Sequence, residues 1–156
     1  MSLPGFVRYI SQSPVRQNSH DFVVNRMLLN LSNHPISKWS PRQRSAAEDL
    51  FGTIVDIPFP EIQPMASIEE IEKTVQDYVQ LCVSHLEQHN GYAEENAIHI
   101  MGEYTFTYLF VREMEKRGIL CVASTTERIV TDNPDGSKTT FFEFVQFRPY
   151  FIIDNA

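Results

Sequence analysis

The sequence predicts an α/β fold with a mostly parallel sheet covered by helices on both faces. Three observations carry that prediction. Short apolar runs, MLLNLS, TIVDIPF, AIHIM and ILCVA, recur along the chain. Between them lie segments with apolar residues at helical spacing. Prolines, glycines and capping residues fall at the joints. Short apolar strands alternating with amphipathic helices are buried on both faces, which is the pattern of a parallel sheet with crossover helices.

In chain order, residues 1–24 lack sustained periodicity and are interrupted by Pro4, Gly5 and Pro14, so a flexible arm is expected. The domain then spans 25–156. Met27–Ser32 reads as a buried strand that Asn33-His34-Pro35 ends, because proline biases the residue before it away from the helical region. Ser40-Pro41-Arg42-Gln43 starts a helix: a capping hydroxyl, a proline suited to the first turn, and Gln43 completing a capping box. Gly52 stops it. Thr53–Phe59 is a second strand, and Pro58 and Pro60 assign it to an edge. Ser67-Ile68-Glu69-Glu70 is another capping box. Ile68, Ile71, Val75, Tyr78, Val79, Cys82 and Leu86 follow it on one helical face. Ala97–Met101 is the third strand, and Tyr104–Arg117 the third helix, with Gly118 as its stop. Ile119–Ala123 is the fourth strand. Arg128–Thr131, the turn Asn133-Pro134-Asp135-Gly136 and Thr139–Phe147 read as a β-hairpin. Right-handed crossovers make this a Rossmann-like three-layer sandwich with strand order 2-1-3-4 and a C-terminal β-hairpin.

The 156 residues suit one domain. The net charge of −7 argues against a duplex nucleic-acid partner, which needs a basic face. No apolar run reaches the roughly 20 residues of a membrane span, and the N-terminus lacks the order of a secretory signal. A cytoplasmic location without membrane association is therefore expected. Cys82 and Cys121 sit inside apolar patterns and read as buried free thiols.

In such sheets ligands bind at the carboxyl ends of the strands, beside the switch in strand order. Three polar turns fall there: Asn33-His34, Gly102-Glu103-Tyr104-Thr105, and Ser124-Thr125-Thr126-Glu127-Arg128. Strands 1, 3 and 4 are expected to open them into one crevice. His34 either braces its turn or serves as a donor or general acid near neutral pH. Gly102 and Thr105, at a helix N-terminus, suit a phosphate. Glu103 opposes that, as a carboxylate on the positive end. Ser124, Thr125 and Thr126 either end a strand or donate hydroxyls to phosphate or ribose. Lys38 and Trp39 lie in a loop at the same end, and Trp39 either covers core or stacks on a base. Arg128 either pairs with Glu127 or Glu143 or contacts an anion.

Several motifs are missing. There is no G-x-G-x-x-G after the first strand and no G-x-x-x-x-G-K-[ST]. There is no G-x-S-x-G. His85 and His89 are four residues apart on one helix but lack a third ligand, so no metal is assigned. No cofactor is implied.

The segments LLNLSNHP, IHIMGEYTFTYLFVREMEKRGI, CVASTTERIV and DGSKTTFFEFVQFR resemble small CRISPR-associated proteins of the CARF type. The resemblance covers roughly residues 26–148. It implies a homodimer that binds a cyclic oligoadenylate second messenger in antiviral defence, with metal-independent ring cleavage in some members. It would make His34, Lys38 and Arg128 the catalytic clamp. Asn33, Gly102, Glu103, Thr105, Ser124, Thr125 and Thr126 would line the ligand site. Two alternatives stay open: a non-catalytic nucleotide-binding regulator, and a small-molecule hydrolase using His34 and Glu103 as an acid/base pair.

Overall fold

The computed structural model describes residues 25–153, and the expected N-terminal arm lies outside them. Five strands and three α-helices follow one another as β1 (Met27–Ser32), α1 (Pro41–Phe51), β2 (Thr53–Pro58), α2 (Ile68–Asn90), β3 (Ala97–Met101), α3 (Tyr104–Lys116), β4 (Leu120–Asp132) and β5 (Lys138–Pro149). The strands form one sheet in the order β2-β1-β3-β4-β5. β1 pairs in parallel with β2 and β3, and β3 pairs in parallel with β4. β5 returns antiparallel to β4. The expected order 2-1-3-4 is thus extended by one strand. β2 lies at an edge, where its terminal Pro58 needs no ladder partner for a missing N–H.

The fourth strand and the first arm of the hairpin are not separate elements. β4 runs unbroken through Ser124-Thr125-Thr126, with a register shift between Thr125 and Thr126 against β5. β-branched threonines suit a pleated strand, so the polar run there continues the ladder.

Each face of the sheet buries its own core. On one side Leu29, Leu31, Ile98, Ile100 and Cys121 pack against α2 and α3 through Val75, Val79, Cys82, Phe106, Phe110 and Met114. On the other, Leu28, Ala97, Leu120 and Val122 pack against Trp39, Ala47 and Phe51 of the α1 segment and against Phe144 and Phe147 of β5. Both cysteines are buried free thiols, and desolvation pushes Cys82 up to about 12. Two helices cover the first face, whereas one helix of 11 residues covers the second.

The helix starts show how the sequence sets these elements. At α2, Ser67 Oγ accepts from the Glu70 N–H at 3.2 Å and the Glu70 carboxylate accepts from the Ser67 N–H at 2.7 Å, a complete capping box. Gly91, at φ 82°, closes that helix in the left-handed region. At α1 only half of the expected box forms. Ser40 Oγ accepts from the Gln43 N–H at 3.2 Å, but the Gln43 amide leaves the helix end and donates to Ser124 Oγ.

Candidate functional site

The polar turns after β1 and β3 and the Ser124 position within β4 are tied together around Met101. The Asn33 N–H donates to the Met101 carbonyl at 3.3 Å, and the Ser124 N–H donates to Met101 Sδ at 3.3 Å. The turn after β1 folds back on its own strand. The His34 carbonyl accepts from Asn30 Nδ2 at 2.8 Å, Ser32 Oγ at 3.1 Å and Trp39 Nε1 at 3.1 Å. Asp56 of β2 fixes the same loop by accepting from the Ile36 N–H at 3.1 Å. The backbone of His34 is therefore a brace, while its side chain is exposed.

Beneath these turns a row of polar side chains crosses the α1 face. The register sets Asn30 of β1 opposite Asp56 of β2 and opposite His99 of β3. Asn30 Nδ2 donates to Asp56 Oδ1 at 2.7 Å, and Asn30 Oδ1 lies 2.7 Å from His99 Nδ1. His99 Nε2 lies 2.8 Å from Ser124 Oγ, and Gln43 Nε2 donates to that same hydroxyl at 3.0 Å. Asn30 and His99 are 1% and 2% exposed. The His99 ring meets Trp39 edge-on at 5.3 Å and Phe147 at 5.6 Å. Burial, followed by repulsion from His34, lowers its pKa to about 4. The imidazole is thus neutral at pH 7, and its orientation is fixed from four sides.

The donor inventory settles the tautomer. The Asn30 amide nitrogen faces Asp56 Oδ1 and the His34 carbonyl, so its oxygen faces His99 Nδ1. A carboxamide oxygen only accepts, so Nδ1 carries the hydrogen and Nε2 the lone pair. The Ser124 hydroxyl then donates to Nε2.

The remaining predicted residues separate. Glu103 is the N-cap of α3: its carboxylate accepts from the Phe106 N–H at 2.8 Å. That bond, with donors from Thr105, holds the carboxyl below its ordinary range. The helix end offered to a phosphate is accordingly occupied by the chain's own anion. Gly102 lies under the Phe59 ring, which fills the space a Cβ would need. Thr105 is half-buried in the first turn of α3. Lys38 is exposed at the end of the short turn Ile36–Lys38. The three hydroxyls of 124–126 do not act as one group. Strand alternation sends Thr125 to the face opposite Ser124, where its Oγ1 donates to the Gln146 carbonyl at 3.2 Å. Thr126 is exposed beyond the register shift. Arg128 lies roughly 13 Å further along the strand than Ser124, at about 3.3 Å per residue, opposite Phe142 in the ribbon. Glu143, one of its two expected partners, pairs instead with Arg42 at 3.4 Å. Trp39 is buried, so it covers core.

Asn30, Asp56, His99 and Gln43 are the residues that sequence reasoning passed over. For Asn30, Asp56 and His99 the signal was a polar residue inside an otherwise apolar strand, in MLLNLS, TIVDIPF and AIHIM, whereas Gln43 read only as a capping residue. Among the described residues, no cluster of three or more His, Cys, Asp and Glu forms a metal site, and no helix is long and apolar enough to cross a membrane. A groove of about 310 Å³ lined by Glu72, Gln76, Arg112 and Glu113 runs between α2 and α3, on the other face of the sheet.

No curated protein and no solved structure matches this chain. Residues 26–148, nearly the whole of the five-stranded unit, match the model of the Uncharacterized protein MJ1673 family, and the chain belongs to that family.

Proposed function

We propose that this chain binds a cyclic oligoadenylate as a homodimer at the carboxyl edge of its sheet and opens the ring without a metal. The observation that supports this reading is the joining of the turns after β1 and β3 with Ser124 of β4 around Met101, at the switch in strand order. The exposed side chains of Asn33, His34 and Lys38 lie on that rim. They supply hydrogen-bond donors and positive charge to phosphates, where the cap at Glu103 withholds the α3 N-terminus. Ring opening aligns a ribose 2′-hydroxyl with its neighbouring phosphorus, and donors on the phosphate oxygens stabilise the charge that develops.

Incubation with cyclic tetra-adenylate in the presence of EDTA, followed by chromatography, tests the reading. Linear oligoadenylate formed by wild type and lost in His34→Ala with Lys38→Ala supports it. A thermal shift with an intact ring reduces it to binding, the regulator alternative. No product and no shift overturns it.

A further inference from the structure

We propose that Ser124 is an activated nucleophile toward small carboxylic esters, with His99 as its base and Asn30 as the group that orients that base. This goes beyond the nucleotide reading and does not depend on it. The geometry has the three parts that nucleophilic catalysis requires: a hydroxyl on a base nitrogen at 2.8 Å, the other ring nitrogen on an acceptor at 2.7 Å, and a base held rigid. Edge-on contacts with Trp39 and Phe147 lock the ring. Asp56, 2.7 Å behind Asn30, polarises the amide that faces the imidazole. Burial keeps His99 neutral at pH 7, with a lone pair to accept a proton, and also makes it a weaker base than a free imidazole.

Ser124 is half-buried rather than sealed. Its oxygen donates one hydrogen and accepts one from Gln43, which leaves a lone pair for attack. Two donors at Ser124 are available to an oxyanion formed on its acyl adduct. One is the Gln43 amide. The other is the Ser124 N–H, now spent on a thioether sulfur, a weak acceptor that a stronger one displaces.

The chemistry balances without any further reagent. Ser124 Oγ bonds to the ester carbonyl carbon as its proton passes to His99 Nε2. The tetrahedral adduct collapses, the bond to the alcohol oxygen breaks, and that alcohol leaves with the proton from Nε2. Water then hydrolyses the acyl-serine by the same exchange, releasing the acid and restoring the hydroxyl. A neutral amide in place of a carboxylate as orienter supports the imidazolium weakly, so the site is a slow one.

The alternative role for this row is to pin the register of β1, β3 and β4, and chemical labelling separates the two. The whole chain is incubated with a biotinylated fluorophosphonate and the adduct mapped by mass spectrometry. The expected result is a phosphonylated Ser124 that forms about 10²-fold faster in the native chain than in urea-unfolded chain, the scale of a positioned base. It disappears in Ser124→Ala, and in His99→Gln it falls to the unfolded rate. Absence of a Ser124 adduct, or equal rates in native and unfolded chain, overturns the proposal. A folded His99→Gln chain that labels at the wild-type rate overturns it too. The native-to-unfolded comparison needs no variant, so it decides even where His99→Gln does not fold.

Discussion

Protonating His99 destabilises this protein from inside the sheet, and the size of that effect follows from its burial. The imidazole is 2% exposed, and desolvation first, with repulsion from His34 second, lowers its pKa from 6.5 to about 4. A base depressed in the folded state takes up its proton first in the unfolded chain. Its contribution to stability is therefore complete above pH 6.5 and drains away as pH falls from 6.5 toward 4. At 1.36 kcal/mol for each pH unit of difference, that window holds about 3 kcal/mol. Marginal domains have only about 5–15 kcal/mol in all, so the loss is a large share. Urea denaturation of wild type and His99→Gln at intervals from pH 7.5 to pH 4 measures it. Glutamine retains most of the volume and removes the titration, while every carboxylate and His34 remain in both chains. The wild type is expected to lose about 3 kcal/mol more than the variant across the window. Parallel curves, or a wild type that gains on acidification, would refute the reasoning, for then His99 is either solvated or already paired with an anion.

Two further predictions concern the elements that frame the site. Gly102→Ala drives a methyl into the Phe59 ring, which itself packs edge-on against Phe106 at 5.1 Å. Overpacking of this kind costs about 1–3 kcal/mol, read as a lower urea midpoint with an unchanged m-value. Thr107 is 8% exposed on the buried face of α3, and its hydroxyl finds no partner among the described residues. Thr107→Val removes the unpaired hydroxyl at constant shape and raises stability by about 1 kcal/mol, read as a higher melting temperature.

Most of the architecture was legible because its signals are local. Ser67 with Glu70, Pro58 at a strand end, and apolar residues at helical spacing each act within a few residues of one another. The site was legible only in outline. Its location at the carboxyl edge follows from strand order, and Asn33, His34, Lys38 and Ser124 lie there. The row beneath it depends on lateral register between strands far apart in the chain: Asn30 and His99 are 69 residues apart. No spacing rule on one sequence joins them. Gln43 shows a second limit, since the same residue satisfies a capping pattern and reaches a neighbouring strand, and only the packed sheet decides between the two. Thr125 shows a third: adjacent hydroxyls look like a cluster in sequence, yet the pleat divides them between opposite faces.

The middle position of β1 has a consequence for the order in which the chain assembles. The first described strand gains β2 as a neighbour early, but its other side waits for β3. Even its opening N–H, at Met27, is held by Asn96, 69 residues on. On a ribosome, β1 would emerge with one flank bare until α2 and β3 had followed. Closing so long a loop is slow and is rewarded only late. The β4–β5 ribbon, by contrast, closes over a turn of a few residues. Synthesis therefore leaves the free flank of β1 open longer than any other seam of the sheet, and a chaperone acting on this chain would have its longest opportunity there.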